Sequence, residues 1–118
     1  MPLTRSDTVL VQFPYSTGAG SKLRPAVVVQ GDYSNRRLTN VILAPLTTTI
    51  KRAAEPTQFL VDASSAAGKA AGLRHTSVVS CENLTTVALS LVRRRLGQLP
   101  PPAMDQVNEC LKAALGLA

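Results

Sequence analysis

Apolar positions along the chain come in short runs broken by proline, glycine and polar clusters, and only beyond about residue 100 do they recur at the three-and-four spacing of a helix. The first run, Asp7 to Phe13 ("DTVLVQF"), predicts a strand, which Pro14 ends because proline has no N–H for a sheet ladder. Residues 14–23, "PYSTGAGSKL", predict a polar connection long enough to serve as a lid or binding loop. Pro25 is expected to open a second strand, "AVVVQ", whose Val27-Val28-Val29 run implies burial on both faces, by a helix on one side or a partner subunit on the other. A turn cluster, "GDYSNRR" (31–37), leads to a third strand, "VILAPL" (41–46), where Pro45 predicts an edge or a bulge. After the polar and basic loop "TTTIKRAAEP" comes a strand over 57–62, "TQFLVD".

Residues 63–75, "ASSAAGKAAGLRH", are rich in small residues and predict a loop with room for one helical turn. "TSVVSCENL" and "LSLVRRRLGQL" predict two more strands, the second carrying Arg93, Arg94 and Arg95. Three adjacent arginines on a strand alternate faces, so one points away from the other two; a solvated strand edge is the expectation for them. Then the period changes: Met104, Val107, Leu111, Ala114 and Leu115 fall on one helical face, with Pro100 to Pro102 suited to a first turn, Asp105 placed to complement the positive helix end, and Gly116 a stop. The connections are loops rather than crossover helices, so the strands are expected to be mostly antiparallel. The fold class is mainly β with a C-terminal α-helix, as a small closed or half-open antiparallel barrel, in one domain over residues 1–118.

Composition narrows the function. No apolar run approaches the roughly 18 residues that span a membrane. No charged stretch followed by a longer apolar core marks a secretion signal, so a soluble cytoplasmic protein is expected. Thirteen Lys and Arg against seven Asp and Glu give a net charge of +6, a field that suits an anionic partner. Cys81 and Cys110 have no Cys or His neighbour at metal-ligand spacing and are read as buried thiols. No metal or cofactor motif is found, nor a nucleotide-cradling glycine loop. His75 is the one histidine, and no G-x-S-x-G elbow accompanies it, which argues against a serine hydrolase. Arginine, hydroxyls and a few carboxylates remain, a set suited to chemistry on phosphate: RNA cleavage by its own 2′-OH needs only proton transfer and stabilisation of an anionic phosphorane. Arg24 is, on this basis, either such a guanidinium or a strand-end charge snorkelling to water, and Thr47 either a phosphate donor or a turn cap.

"LRPAVVVQGDYSNRR" (23–37) followed by "VILAPLTTT" (41–49) resembles the MazF/PemK family of toxin endoribonucleases from bacterial toxin–antitoxin pairs. That family opens with a strand ending in proline, matched by "SDTVLVQFP", and continues through "RP", an "N" or "NR" turn and a strand ending "PLT", in this order nearly to the end of the chain. The resemblance implies a small SH3-like barrel of the MazF/CcdB type, a homodimer, single-stranded RNA as substrate and a cognate antitoxin as protein partner, with no cofactor and no metal. It implies catalytic roles for Arg24, stabilising the phosphorane, and Thr47, donating to a phosphoryl oxygen. Some members use a carboxylate at the position of Glu82, as a base or an orienter of the arginine. They carry an arginine two residues earlier, where this chain has Ser80, and a structural ion pair is the alternative for Glu82.

RNA contacts are expected from Tyr15, Thr17, Ser21, Lys22, Asn35, Thr48, Lys51, Arg74 and His75, with Arg36 and Arg52 also on substrate-side loops. With four aromatics in all, the chain lacks a large stacking platform, and Tyr15 is the one expected to touch a base. His75 is read mainly as a loop or RNA contact, with proton donation to the 5′-oxygen as a second role. Two rival functions go with the same fold. Gyrase poisons resemble one another in a tryptophan near the C-terminus, and this chain has none. An inactive RNA- or antitoxin-binding module is the other, kept open by Ser80.

Overall fold

The run predicted as the first strand is β1, Asp7–Pro14, and the sheet is built around it. In the computed structural model, which describes residues 2–14 and 20–118, β1 pairs antiparallel on one side with β2, Ser21–Val28, setting Leu10 against Pro25 and Val11 against Arg24. On its other side it pairs with β7, Val92–Gln98, where Leu10 meets Arg94. The remaining strands are β3, Asn40–Thr47, β4, Gln58–Val61, β5, Ser77–Ser80, and β6, Thr85–Ala88. The path across the sheet runs β4-β5-β3-β2-β1-β7, with β6 on the first half of β3, and every pairing is antiparallel. No ladder among the described residues joins β7 to β4 or β6, so the sheet is open.

Both strand prolines behave differently from expectation. Pro25 does not open β2; the strand begins at Ser21, and Pro25 lies within it. β3 joins β2 only from Ala26 onward, so no ladder bond is lost on that side of the proline. Pro45 sits in a central strand, not an edge: β6 covers β3 up to Leu43 and β5 takes over at Leu46, leaving the proline in the gap between partners. The segments read as two long strands are each interrupted. A 3₁₀ turn at Cys81–Asn83 separates β5 from β6, and another at Leu89–Leu91 precedes β7. The turn cluster after β2 contains a single helical turn, α1, Asp32–Asn35, and the small-residue loop contains α2, Ala66–Ala70, capped by the Ser65 side chain accepting from Gly68 N–H.

The valine run is buried on both faces, and by this chain alone. Val27 packs with Ala44, Leu46, Val61 and Val79 under the C-terminal helix α3, Pro101–Leu115, which contributes Ala103, Met104, Val107 and Cys110. Val28 and Ala26 face the opposite side, with Val9, Val11, Val41 and Leu43. Val87 of β6 and Val92 of β7 join that second cluster, so the run β6-β3-β2-β1-β7 curves until its outer strands share a core. The predicted helix therefore forms, with Met104, Val107, Leu111 and Ala114 inward but Leu115, read as part of the same stripe, exposed in the last turn, and with Gly116 as its C-cap at φ 70°, a backbone that a glycine adopts without strain. Asp105 falls one residue past the first turn, which holds no acid. Cys81 and Cys110 are buried free thiols.

Candidate functional site

Where β2 runs on past its pairing with β3, the sheet opens into a cleft of about 480 Å³. Leu10 of β1, Leu23 and Pro25 of β2, Leu46 of β3 and Leu96 of β7 give it an apolar floor. Strand alternation puts Arg24 on the face of the hairpin opposite Leu23 and Pro25, at the open end of the strand. The β2–β3 ladder ends at Ala26↔Pro45, two residues short of Arg24 on one strand and of Thr47 on the other. Beyond that point β3 pairs with β5, and Arg24 and Thr47 both line the cleft.

Thr47 forms the turn cap that the sequence left open to it. Its hydroxyl oxygen accepts from the Thr49 backbone N–H at 3.1 Å, a turn cap. That bond uses a lone pair and leaves the O–H proton free to donate into the cleft. Arg24 is exposed and takes part in none of the ion pairs among the described residues. In one cleft, a guanidinium outside those ion pairs and a hydroxyl with its proton free suit a phosphate, because neither has to give up an ion pair to bind it.

The other walls are cationic. Lys22, Arg74 and Arg94 line the cleft with Arg24, His75 and Thr48, and none of the described lining residues is a carboxylate. Four cations and no acid around an apolar-floored cleft focus the chain's positive field there. The wall carrying Arg74 and His75 is held by buried polar contacts. Ser77 Oγ donates to the His75 carbonyl at 2.9 Å, and Thr8 Oγ1 donates to the Ala71 carbonyl at 2.6 Å. Asp62 anchors the far side of the same segment: it accepts from Ser64 N–H and Oγ at 2.8 Å, and more weakly from Thr76 Oγ1. Those bonds hold its carboxyl below the usual range.

Arg24, Thr47, Lys22, Thr48, Arg74 and His75, predicted from the sequence, thus converge. Tyr15 and Thr17 lie outside the described residues. Ser21 is outside the lining, its oxygen accepting from Gln12 Nε2 at 2.6 Å, and Lys51 is exposed in the loop after β3, also outside it. Asn35 does not reach the cleft. Its amide is consumed by Gln30 and Asp32, bonds of 2.9 to 3.0 Å that tie α1 to the end of β2.

Glu82 is likewise separate from the lining, and its partner is Arg52, not Arg24. Arg52 Nη1 and Nη2 donate to the two carboxylate oxygens at 2.5 and 3.0 Å, and Thr57 Oγ1 and Gln58 Nε2 each add a bond at 3.0 Å. Arg52 first, then Thr57 and Gln58, hold the carboxyl below the usual range, the reverse of what a general base needs. Arg52, expected on the substrate side, is consumed by this pair. Ser80, where some members of the family carry an arginine, is buried and accepts from Asn83 Nδ2 at 2.8 Å, shaping the turn that presents Glu82.

Arg94 was missed. The alternation of the three arginines held the signal, since on a regular strand the middle one faces away from its neighbours, and what the sequence did not show is that β1 holds those two neighbours. Arg93 bonds Gln12, and Arg95 bonds the buried carboxylate of Asp7 at 3.0 Å.

Residues 4–115 match the family model of the PemK-like, MazF-like toxins of type II toxin–antitoxin systems. Over 96 residues the chain is 37% identical to endoribonuclease MazF3 of Mycobacterium tuberculosis, covering 81% of this chain and 85% of that one. Over 95 residues it is 32% identical to endoribonuclease EndoA of Bacillus subtilis, covering 80% and 78%. A solved endoribonuclease in complex with its cognate antitoxin, from a mycobacterial species, matches with a TM-score of 0.79 at 25% identity, over 98% of this chain and 97% of that one. A basic cleft on a seven-stranded sheet with a C-terminal helix, and a family match over residues 4–115, lead to one conclusion: the chain belongs to the PemK-like, MazF-like toxins of type II toxin–antitoxin systems.

Proposed function

We propose that this toxin is an endoribonuclease that cuts single-stranded RNA in the cleft between β2, β3 and β7. The observation that carries the reading is that Arg24, in no ion pair among the described residues, and the Thr47 hydroxyl line one cleft that gathers four cations and no carboxylate among its described residues. The relatives named as endoribonucleases support it. In the reaction the RNA 2′-oxygen attacks the adjacent phosphorus and the bond to the 5′-oxygen breaks. The proton lost by the 2′-OH is balanced by one gained at the 5′-oxygen, leaving a 2′,3′-cyclic phosphate and a 5′-OH. Arg24 neutralises the extra charge on the phosphorane, and Thr47 donates to one of its oxygens. His75 brings an imidazole to the same cleft, where it contacts RNA or passes a proton.

The curvature that brings Val87 and Val92 into one core supports reading the sheet as a small SH3-like barrel. The family match over residues 4–115 supports treating 1–118 as one toxin domain. The solved relative bound to its antitoxin supports a cognate antitoxin as partner, and the same family supports a homodimer. No helix among the described residues is long and apolar enough to cross a membrane, which agrees with action on RNA in the cytoplasm.

Incubation of the purified protein with mixed-sequence single-stranded RNA in EDTA, with the ends mapped, tests the reading. Cuts at a short recurring motif with 5′-OH ends support it. RNA left intact across varied sequences by a folded protein overturns it and turns attention to gyrase inhibition or antitoxin binding.

A further inference from the structure

The triple arginine on β7 resolves into three different situations. Arg93 donates through Nε to Gln12 Oε1 at 2.9 Å, with a second bond from Nη2 to the same oxygen. Arg95 donates through Nε to Asp7 Oδ1 at 3.0 Å, and that carboxylate is 3% exposed. Arg94, between them, forms no ion pair among the described residues and lines the cleft. Irregularities in the β1–β7 ladder fall on either side of the Leu10↔Arg94 and Val9↔Arg95 pairs, so Arg94 and Arg95 form a short paired block and Arg93 lies at the flanking register shift.

Pairing places Pro25, Leu10 and Arg94 in one row across β2, β1 and β7, on the face of the cleft floor. Arg24 and Arg94 line the same cleft from β2 and β7, the strands on either side of β1, whose Leu10 also lines it. Two strand spacings amount to about 10 Å at the backbone, and two cations on non-adjacent strands suit successive phosphates of a nucleotide chain better than a single one. Of three adjacent arginines, the one without a side-chain partner among the described residues is the one that lines the cleft.

We propose that Arg94 binds the RNA phosphate adjoining the scissile one, with the base of that nucleotide resting on Leu10, Leu23 and Leu96. The inference rests on the endoribonuclease reading and extends it to a second subsite. It is tested by fluorescence anisotropy with a single-stranded RNA whose 2′-O-methyl groups block the nucleophile, titrated across salt, for the wild type, Arg94→Gln and Arg93→Gln. Arg94→Gln is expected to weaken binding about tenfold. It is also expected to flatten the dependence of log affinity on log salt by about 0.7, the share of one phosphate on a single strand. Its thermal midpoint stays at the wild-type value. Arg93→Gln keeps both affinity and slope. On cleavable RNA, Arg94→Gln raises KM and leaves kcat within about threefold, the pattern of lost uniform binding. Wild-type affinity and slope in Arg94→Gln, with a wild type that cuts RNA, overturn this inference alone. A wild type that neither binds nor cuts RNA overturns the inference and the nuclease reading together.

Discussion

Arg52 and Glu82 meet in a two-pronged ion pair, at 2.5 and 3.0 Å, that closes the loop after β3 onto the turn after β5. The carboxylate stands at the position where some members of the family place a catalytic group, yet its oxygens are fully engaged by Arg52, Thr57 and Gln58. A loss of general-base catalysis costs typically 10² to 10⁴-fold in rate, about. Glu82→Gln is expected to keep kcat within about threefold of the wild type, because the group acts on the loop and not on the phosphate. A fall of a hundredfold in single-turnover cleavage would return Glu82 to the chemistry.

The same pair has a pH signature. Arg52 and the two polar partners hold the Glu82 carboxyl below its ordinary value of 4.5, so its stabilising contribution is complete above that value. It is lost as pH falls through the lower, folded-state value, because the unfolded chain takes up the proton first. Thermal midpoints of the wild type and Glu82→Gln, followed from neutral to acid pH, are expected to differ at neutrality and to converge on the acid side. A difference that persists undiminished in acid contradicts the assignment.

Gly97 marks a close approach between β7 and the segment leading to Arg74 and His75. A Cβ added there would meet the Ala70 carbonyl oxygen at 2.2 Å and the Ala71 carbonyl carbon at 2.8 Å, both backbone atoms that cannot step aside. Gly97→Ala is expected to cost about 1–3 kcal/mol or more by overpacking and to displace the wall of the cleft. Chemical denaturation reads the loss, and RNA affinity should fall with it. Unchanged stability would mean that the two segments are not packed in this way.

Cys81 and Cys110 are expected to be inert. Burial, and then the nearby Cys110, pushes the Cys81 thiol up to about 12, and burial pushes Cys110 up as well. The thiolate is the reactive species, so native protein should resist alkylation near neutral pH and label at both sites only on unfolding. Stability should also fall as pH rises past the ordinary thiol value of 9.0, where the unfolded chain ionises and the folded one does not. Rapid labelling of the folded protein would contradict the buried placement.

Legibility of the fold followed burial. β1, the valine run and α3 were readable because their apolar residues are inward and closely spaced. β6 left little pattern, since of its four residues only Val87 is buried and the strand exists to pair with β3. The first half of β2 was hidden for the same reason: Ser21 to Arg24 are polar or exposed and owe their extended backbone to β1. In the cleft, Arg24 and Thr47 were found through the order of short motifs, whereas Arg94 and the partner of Glu82 depend on residues far away in sequence. Gln12 and Asp7, more than eighty residues before the arginines they hold, decide which of the three is left free.

The central claim is that Arg24 and Thr47 act together on one phosphate. Single-turnover cleavage of a defined RNA by Arg24→Ala, Thr47→Ala and the double variant, each checked for native unfolding behaviour, tests it most directly. Each single variant is expected to lose about 10² to 10³-fold in rate. The double variant should be little slower than the worse single one, since residues that act as a unit are not additive. Near-wild-type rates in either single variant, or losses that simply multiply in the double, would contradict the account.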